Sequence, residues 1–130
     1  MCNFVSVELK VRDYECDMQG IVNNANYLHY LECARHEYME SIGLDFAELT
    51  EKGIILVVKR IEIDYIAPLK SNDVFNVTCS NTRISPLRFG FNQEIIRKSD
   101  NKKIVSALVV ATAINKQGRP FLPKEIEDAF

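Results

Sequence analysis

Along the first dozen residues Phe4, Val5, Val7, Leu9 and Val11 fall on or beside every second position, the period of a half-buried strand. Residues 13–26 then carry few apolar side chains but several Asp and Asn and one Gly, a composition that predicts a loop ending at a helix cap. From Tyr27 the period changes. Tyr27, Leu31, Ala34, Tyr38 and Ile42 recur every three or four positions and make one stripe of an α-helix, which Gly43 stops. His29, Glu32, Arg35, His36 and Glu40 stand opposite that stripe. Asp45 followed by Glu48 has the spacing of a capping box, so a short second helix is expected to run to Lys52 and close at Gly53.

Beyond Gly53 the texture is β-branched and alternating. The runs IILVVKRIEIDYIAP, VFNVTCSNTRI, LRFGFNQEIIRK and KIVSALVVATAIN predict four more strands, separated by Pro68 to Asp73, Ser85-Pro86 and Ser99 to Lys102. Links this short join antiparallel neighbours, because a parallel crossover needs a dozen or more residues. The tail from Gly118 reads as a loop with a final helical turn. The inventory is α+β, five antiparallel strands with one long helix and one short one. One helix covers a single sheet face, so the sheet is expected to curl round it, and its open edges to favour at least a dimer.

With 130 residues, residues 1–130 are expected to form a single domain. A net charge of −2 offers no basic excess for a nucleic acid partner. The 47% of hydrophobic residues allows a packed core and argues against disorder. The longest apolar run, Ala107 to Ala113, falls far short of the ~20 residues of a membrane span. Neither a membrane segment nor a signal peptide is expected. Cys2, Cys16, Cys33 and Cys79 form no CxxC pair and lack clustered His, so they are read as reduced intracellular thiols and no metal site is expected.

The candidate chemistry lies in the loop from Asp13 to Tyr27. Gly20 permits a backbone geometry, or a close ligand approach, that a β-carbon would block. The following helix points its unpaired N–H groups and the positive end of its dipole back at the loop. Such amides hydrogen-bond a carbonyl oxygen as it gains charge, worth roughly 3 to 4 kcal/mol per well-placed donor. A carboxylate such as Asp17 then attacks the carbon or deprotonates a water. A thioester suits so sparse a site, since a thiol of pKa about 8.5 leaves without a strong general acid. Taken alone, Asp17 would more simply close an Asx turn, and Asn23, Asn24 or Asn26 would cap the helix. His29 and His36 read as structural, as does Arg35, placed either in an ion-pair face with Glu32 and Glu37 or in a buried link to the loop.

The run from Asp17 through Gly20, Asn23, Asn24, Asn26 and Tyr27 to Ala34 and Arg35, followed by Gly43, resembles the 4-hydroxybenzoyl-CoA thioesterase family of hotdog-fold proteins. Asp64-Tyr65 with Pro68, and Gly118-Arg119-Pro120 with Pro123, are also similar to that family. The resemblance implies a hotdog fold and a homodimer with a continuous sheet, often paired into a tetramer. It implies hydrolysis of acyl-CoA, with coenzyme A as part of the substrate and no separate cofactor. By the same resemblance Asp17 matches the catalytic carboxylate, as nucleophile or general base, and Asn24 supplies the backbone N–H that polarises the thioester. Gly20, Asn23 and Tyr27 fall in the substrate-binding set. Asn23-Asn24 replaces the aromatic residues of the benzoyl-CoA enzymes and is more similar to the long-chain acyl-CoA and acyl-carrier-protein branches. Lys59, Arg60, Arg83 and above all Arg88 are the candidate cations for the CoA diphosphate. The expectation is a cytoplasmic acyl-CoA thioesterase. The alternatives are an acyl-carrier-protein thioesterase and a non-catalytic acyl-CoA binding module. A hydratase would need a His in or beside the loop, and residues 13–26 contain none.

Overall fold

The computed structural model describes residues 4–129. Strand β1 (Phe4–Lys10) leads through a 3-10 turn (Asp13–Glu15) into the long helix α1 (Asn24–Ser41) and the short helix α2 (Phe46–Glu51). Strands β2 (Ile55–Tyr65), β3 (Val74–Arg83), β4 (Phe89–Arg97) and β5 (Lys103–Ile114) follow. The tail holds more order than a loop: a two-residue strand β6 (Pro120–Phe121) pairs with Ala113 and Ile114, and helix α3 (Lys124–Ala129) buries Ile126. The predicted five-stranded sheet thus gains a short sixth member, and all its pairings are antiparallel.

The periodic signals hold because each buries what it should. Tyr27, Leu31, Ala34 and Tyr38 are buried as the stripe requires, while Tyr30 and Met39 widen it. A curled sheet covers more of a helix than a flat one would. α1 lies over β1 and β3, with Tyr30 against Phe75 at 4.7 Å and Tyr38 edge-on to Phe91 at 6.0 Å. Each such aromatic contributes roughly 1.5 to 3 kcal/mol of burial. Asp45 caps α2 through Ala47 N–H at 2.7 Å and Glu48 N–H at 3.4 Å. Gly43 stops α1 in the left-handed region at φ +82.

One link departs from the hairpin expectation. The sheet order is β1-β3-β4-β5-β2, so β2 pairs with β5 and not with its chain neighbour β3. Three strand spacings, about 14 Å, separate them. Residues 66–73 can reach about 26 Å when extended, so they cross the end of the sheet without a helix. Ile104 C=O accepts from Ile66 N–H at 2.8 Å and from Ala67 N–H at 3.3 Å, and Arg97 Nη1 donates to Pro68 C=O at 3.1 Å. That pinned crossover becomes one wall of the candidate site.

Arg35 also has a definite role in the fold. Its guanidinium donates to Gln93 Oε1 at 3.1 Å, and Gln93 Nε2 donates to the Leu31 carbonyl at 2.9 Å and the Thr78 carbonyl at 3.4 Å. Gln93 is 1% exposed, so this chain ties α1 to β3 and β4 inside the core. Arg35 therefore links the helix to the sheet, not to the loop.

Candidate active site

The loop before α1 folds into a very tight hairpin. Cys16 bridges Val22, Asp17 N–H donates to Ile21 C=O at 2.8 Å, and Gly20 N–H donates to Asp17 C=O at 3.0 Å. Gly20 sits at φ +80 with nothing within 4 Å of where a β-carbon would stand. It supplies the left-handed turn, and no other part of the described chain packs against it. The Glu15 carbonyl then anchors the start of the helix, accepting from Asn23 N–H at 3.0 Å and Asn26 Nδ2 at 2.8 Å.

Asn23 is the cap, its Oδ1 accepting from Ala25 N–H at 2.9 Å. Asn26 N–H donates to Asn23 C=O at 2.9 Å. This leaves Asn24, the first residue of α1, with a peptide N–H that has no partner among the described residues. Asp17 does close the Asx turn that its type allows, through Oδ1 and Gln19 N–H at 2.9 Å. Its Oδ2 has no hydrogen-bond partner among the described residues. One carboxylate thus shapes the loop with one oxygen and offers the other.

Asp17 and Asn24 line the same groove, a cavity of about 330 Å³. Its other walls are apolar: Ile21 and Val22 from the hairpin, and Tyr65 with Ile66, Ala67 and Pro68 from the end of β2 and the crossover. Tyr27 forms the floor and is 4% exposed. Its hydroxyl accepts from Leu69 N–H at 3.1 Å. Burial pushes the Tyr27 phenol up, and the Leu69 N–H pulls it partly back. Cys16, beside Asp17, is also pushed up, first by burial and then by the carboxylates of Asp13, Asp17 and Glu15. It is held as a thiol, which disfavours it as the nucleophile.

The remaining expectations divide. Asn23 and Gly20 shape the groove through backbone and cap without lining it. Arg88 lies in the turn before β4, while Arg97 at the other end of that strand touches Pro68. About 30 Å of strand separates Arg88 from the groove in one protomer. Arg60 pairs with Glu62 at 2.8 Å, and Arg83 is committed to the Ser85 and Pro86 carbonyls. His36 stacks on Phe46 at 4.6 Å and pairs with Glu32 at 3.6 Å on the exposed flank of α1. His29 is exposed as well, and neither His lines the groove. Cys16, Cys33 and Cys79 are free thiols, and Cys2 lies outside the described residues.

Tyr65 lines the groove, although sequence reasoning placed it only within a wider resemblance. Alternation along β2 puts it on the same face as Ile61 and Ile63, a signal visible in IEIDY. Nothing in that run says the strand ends against the start of α1.

The chain is similar to known thioesterases in sequence and fold. Residues 11–130 match the family model described as the thioesterase-like superfamily. The chloroplastic acyl-acyl carrier protein thioesterase ATL3 of Arabidopsis thaliana is 36% identical over 131 residues, covering 100% of this chain and 69% of that protein. The long-chain acyl-CoA thioesterase FadM of Escherichia coli is 28% identical over 123 residues, with 95% and 92% covered. Among solved structures, the probable thioesterase YbaW of Escherichia coli superposes with a TM-score of 0.83 at 28% identity, covering 95% of this chain and 94% of that one. A model matching nearly the whole length, on a fold whose helix start and loop carboxylate share one groove, leaves no ambiguity of family: the chain belongs to the thioesterase-like superfamily.

Proposed function

We propose that the protein hydrolyses the thioester of an acyl-CoA to a free acid and CoA. The observation that carries this reading is the groove in which a carboxylate oxygen and a peptide N–H both lack partners among the described residues. The thioester oxygen takes the N–H of Asn24 and gains charge as the carbonyl carbon becomes tetrahedral. Asp17 Oδ2 serves as general base or as nucleophile. As base it accepts a proton from water while the water oxygen bonds to carbon. The C–S bond then breaks, and the departing thiolate takes that proton. As nucleophile Asp17 bonds to the acyl carbon and expels the CoA thiolate. Water then opens the anhydride to the free acid and the Asp17 carboxylate, the released proton going to the thiolate. Either route consumes one water and needs no cofactor. The CoA chemistry follows FadM and the other acyl-CoA thioesterases it is similar to. The similarity to ATL3 makes an acyl carrier protein thioester the second reading.

Tyr27 supports the substrate as the floor, while Gly20 and Asn23 hold the hairpin and helix start in place. A homodimer through β2 fits its position, since among the described residues that strand has a neighbour on one side only, and it exposes Ile55 and Val58. Pairing of dimers extends the same logic. A role for Arg88 at the CoA phosphates then requires a second protomer. No helix is long and apolar enough to cross a membrane, and we infer a cytoplasmic enzyme from its unpaired thiols.

Thiol release from excess acyl-CoA tests the reading. Asp17→Asn keeps an oxygen for the Gln19 N–H, so the fold stays, while kcat is expected to fall roughly 10²-fold or more. Near-wild-type turnover by that variant would remove Asp17 from the chemistry. No thiol accumulating with time above the uncatalysed rate would mark a binding module.

A further inference from the structure

Tyr65 is the aromatic wall of the groove and is only loosely held. It is 48% exposed, its ring leans on Tyr27 at 5.6 Å with a tilt of 59°, and its hydroxyl donates to the Asn24 carbonyl at 3.4 Å. That bond is long, and the Asn24 carbonyl already belongs to the helix ladder, so neither group depends on it. Tyr27, by contrast, is buried and fixed at Leu69. The Tyr65 hydroxyl therefore stands beside the residue whose N–H receives the thioester, on a ring that can shift.

We propose that Tyr65 determines acyl specificity: its ring closes over the carbons next to the thioester and its hydroxyl exchanges the Asn24 carbonyl for the substrate. This rests on the thioesterase reading and names the acyl class it favours. A carbonyl on the Asn24 N–H puts the second acyl carbon beside the ring, where a methylene fits and a branch or an aryl group collides. Beside the ring Ile21, Ile66 and Ala67 wall the same groove and offer apolar surface to an unbranched chain. The favoured substrates are straight-chain acyl thioesters, unsubstituted at the second carbon.

The test compares octanoyl-CoA with 2-methyloctanoyl-CoA and benzoyl-CoA. In the wild type kcat/KM favours the straight chain, and Tyr65→Ala is expected to cut that preference about 10-fold or more. Tyr65→Phe keeps the ring and hence the preference, while losing the hydroxyl lowers kcat about 2- to 10-fold for every substrate. Tyr65→Leu, intermediate in bulk, gives an intermediate preference and covers the case in which the Ala variant fails to fold. A preference within twofold of wild type in folded Ala or Leu variants overturns the proposal. Dissociation constants for the matching S-(2-oxoalkyl)-CoA ketones, which keep a carbonyl but cannot be hydrolysed, read the same selectivity without turnover. Selectivity that follows Tyr65 there, with no thiol release from any acyl-CoA, refutes the hydrolase and leaves the role of Tyr65 standing.

Discussion

The N–H of Asn24 carries a mechanistic burden that one pair of substitutions isolates. Asn24→Pro deletes the donor and Asn24→Ala retains it. The structure makes the proline unusually well tolerated. Residue 24 is the first of α1, and its N–H has no partner among the described residues to lose. Asn23 before it lies at φ −62 and ψ 137, the extended geometry that a residue preceding proline prefers. Proline is favoured at the first helical position for the same reasons. The capping bond belongs to Asn23, so neither variant removes the contribution of about 1 kcal/mol that a cap makes. Both proteins should melt close to the wild type by circular dichroism. Loss of an oxyanion donor costs about 10²- to 10³-fold in kcat, so the proline variant should fall by that factor with KM little changed, while alanine stays within a few-fold. Thiol release monitored with a chromogenic disulfide measures both. A rise in KM at constant kcat would mean that the ring merely blocks the groove. Equal turnover by two folded variants would refute polarisation by the helix start, and the carbonyl would need another donor.

Gln93→Leu should be costly even though it fills the same space. It strips the Arg35 guanidinium of its acceptor and leaves the Leu31 and Thr78 carbonyls without the amide. Unmade hydrogen bonds in a site this buried cost about 1 to 3 kcal/mol or more, and a urea midpoint equal to wild type would contradict it. For assembly, the open edge of β2 predicts that light scattering at micromolar protein gives at least twice the 14.9 kDa chain mass. A fully active monomer would show that the edge is protected in another way.

The sequence by itself determined the elements and the place to look for chemistry. Periods of two and 3.6 are properties of neighbouring residues, so β1, the buried stripe of α1 and the later strands were legible, and Gly43, Gly53 and Asp45 punctuate the helices as their residue types demand. The loop containing Asp17 and Gly20 stood out because its composition cannot make a strand or a helix. Alternation says which face a residue takes but not which strand lies beside it, and there local reasoning stopped. Strand order follows from burial across the whole sheet. β5 is covered on nearly every residue and takes a central place, so β2 moves to its far side and residues 66–73 must cross the sheet end. That crossing brings Tyr65 and Pro68 to Asp17 and Asn24, and it leaves Arg88 at the opposite end of β4. The two groups proposed to act on the thioester are close in sequence, which is why one loop offered both as candidates. The groove walls formed by Tyr65 to Pro68 come from residues some forty positions away, and only closure of the core sets them there.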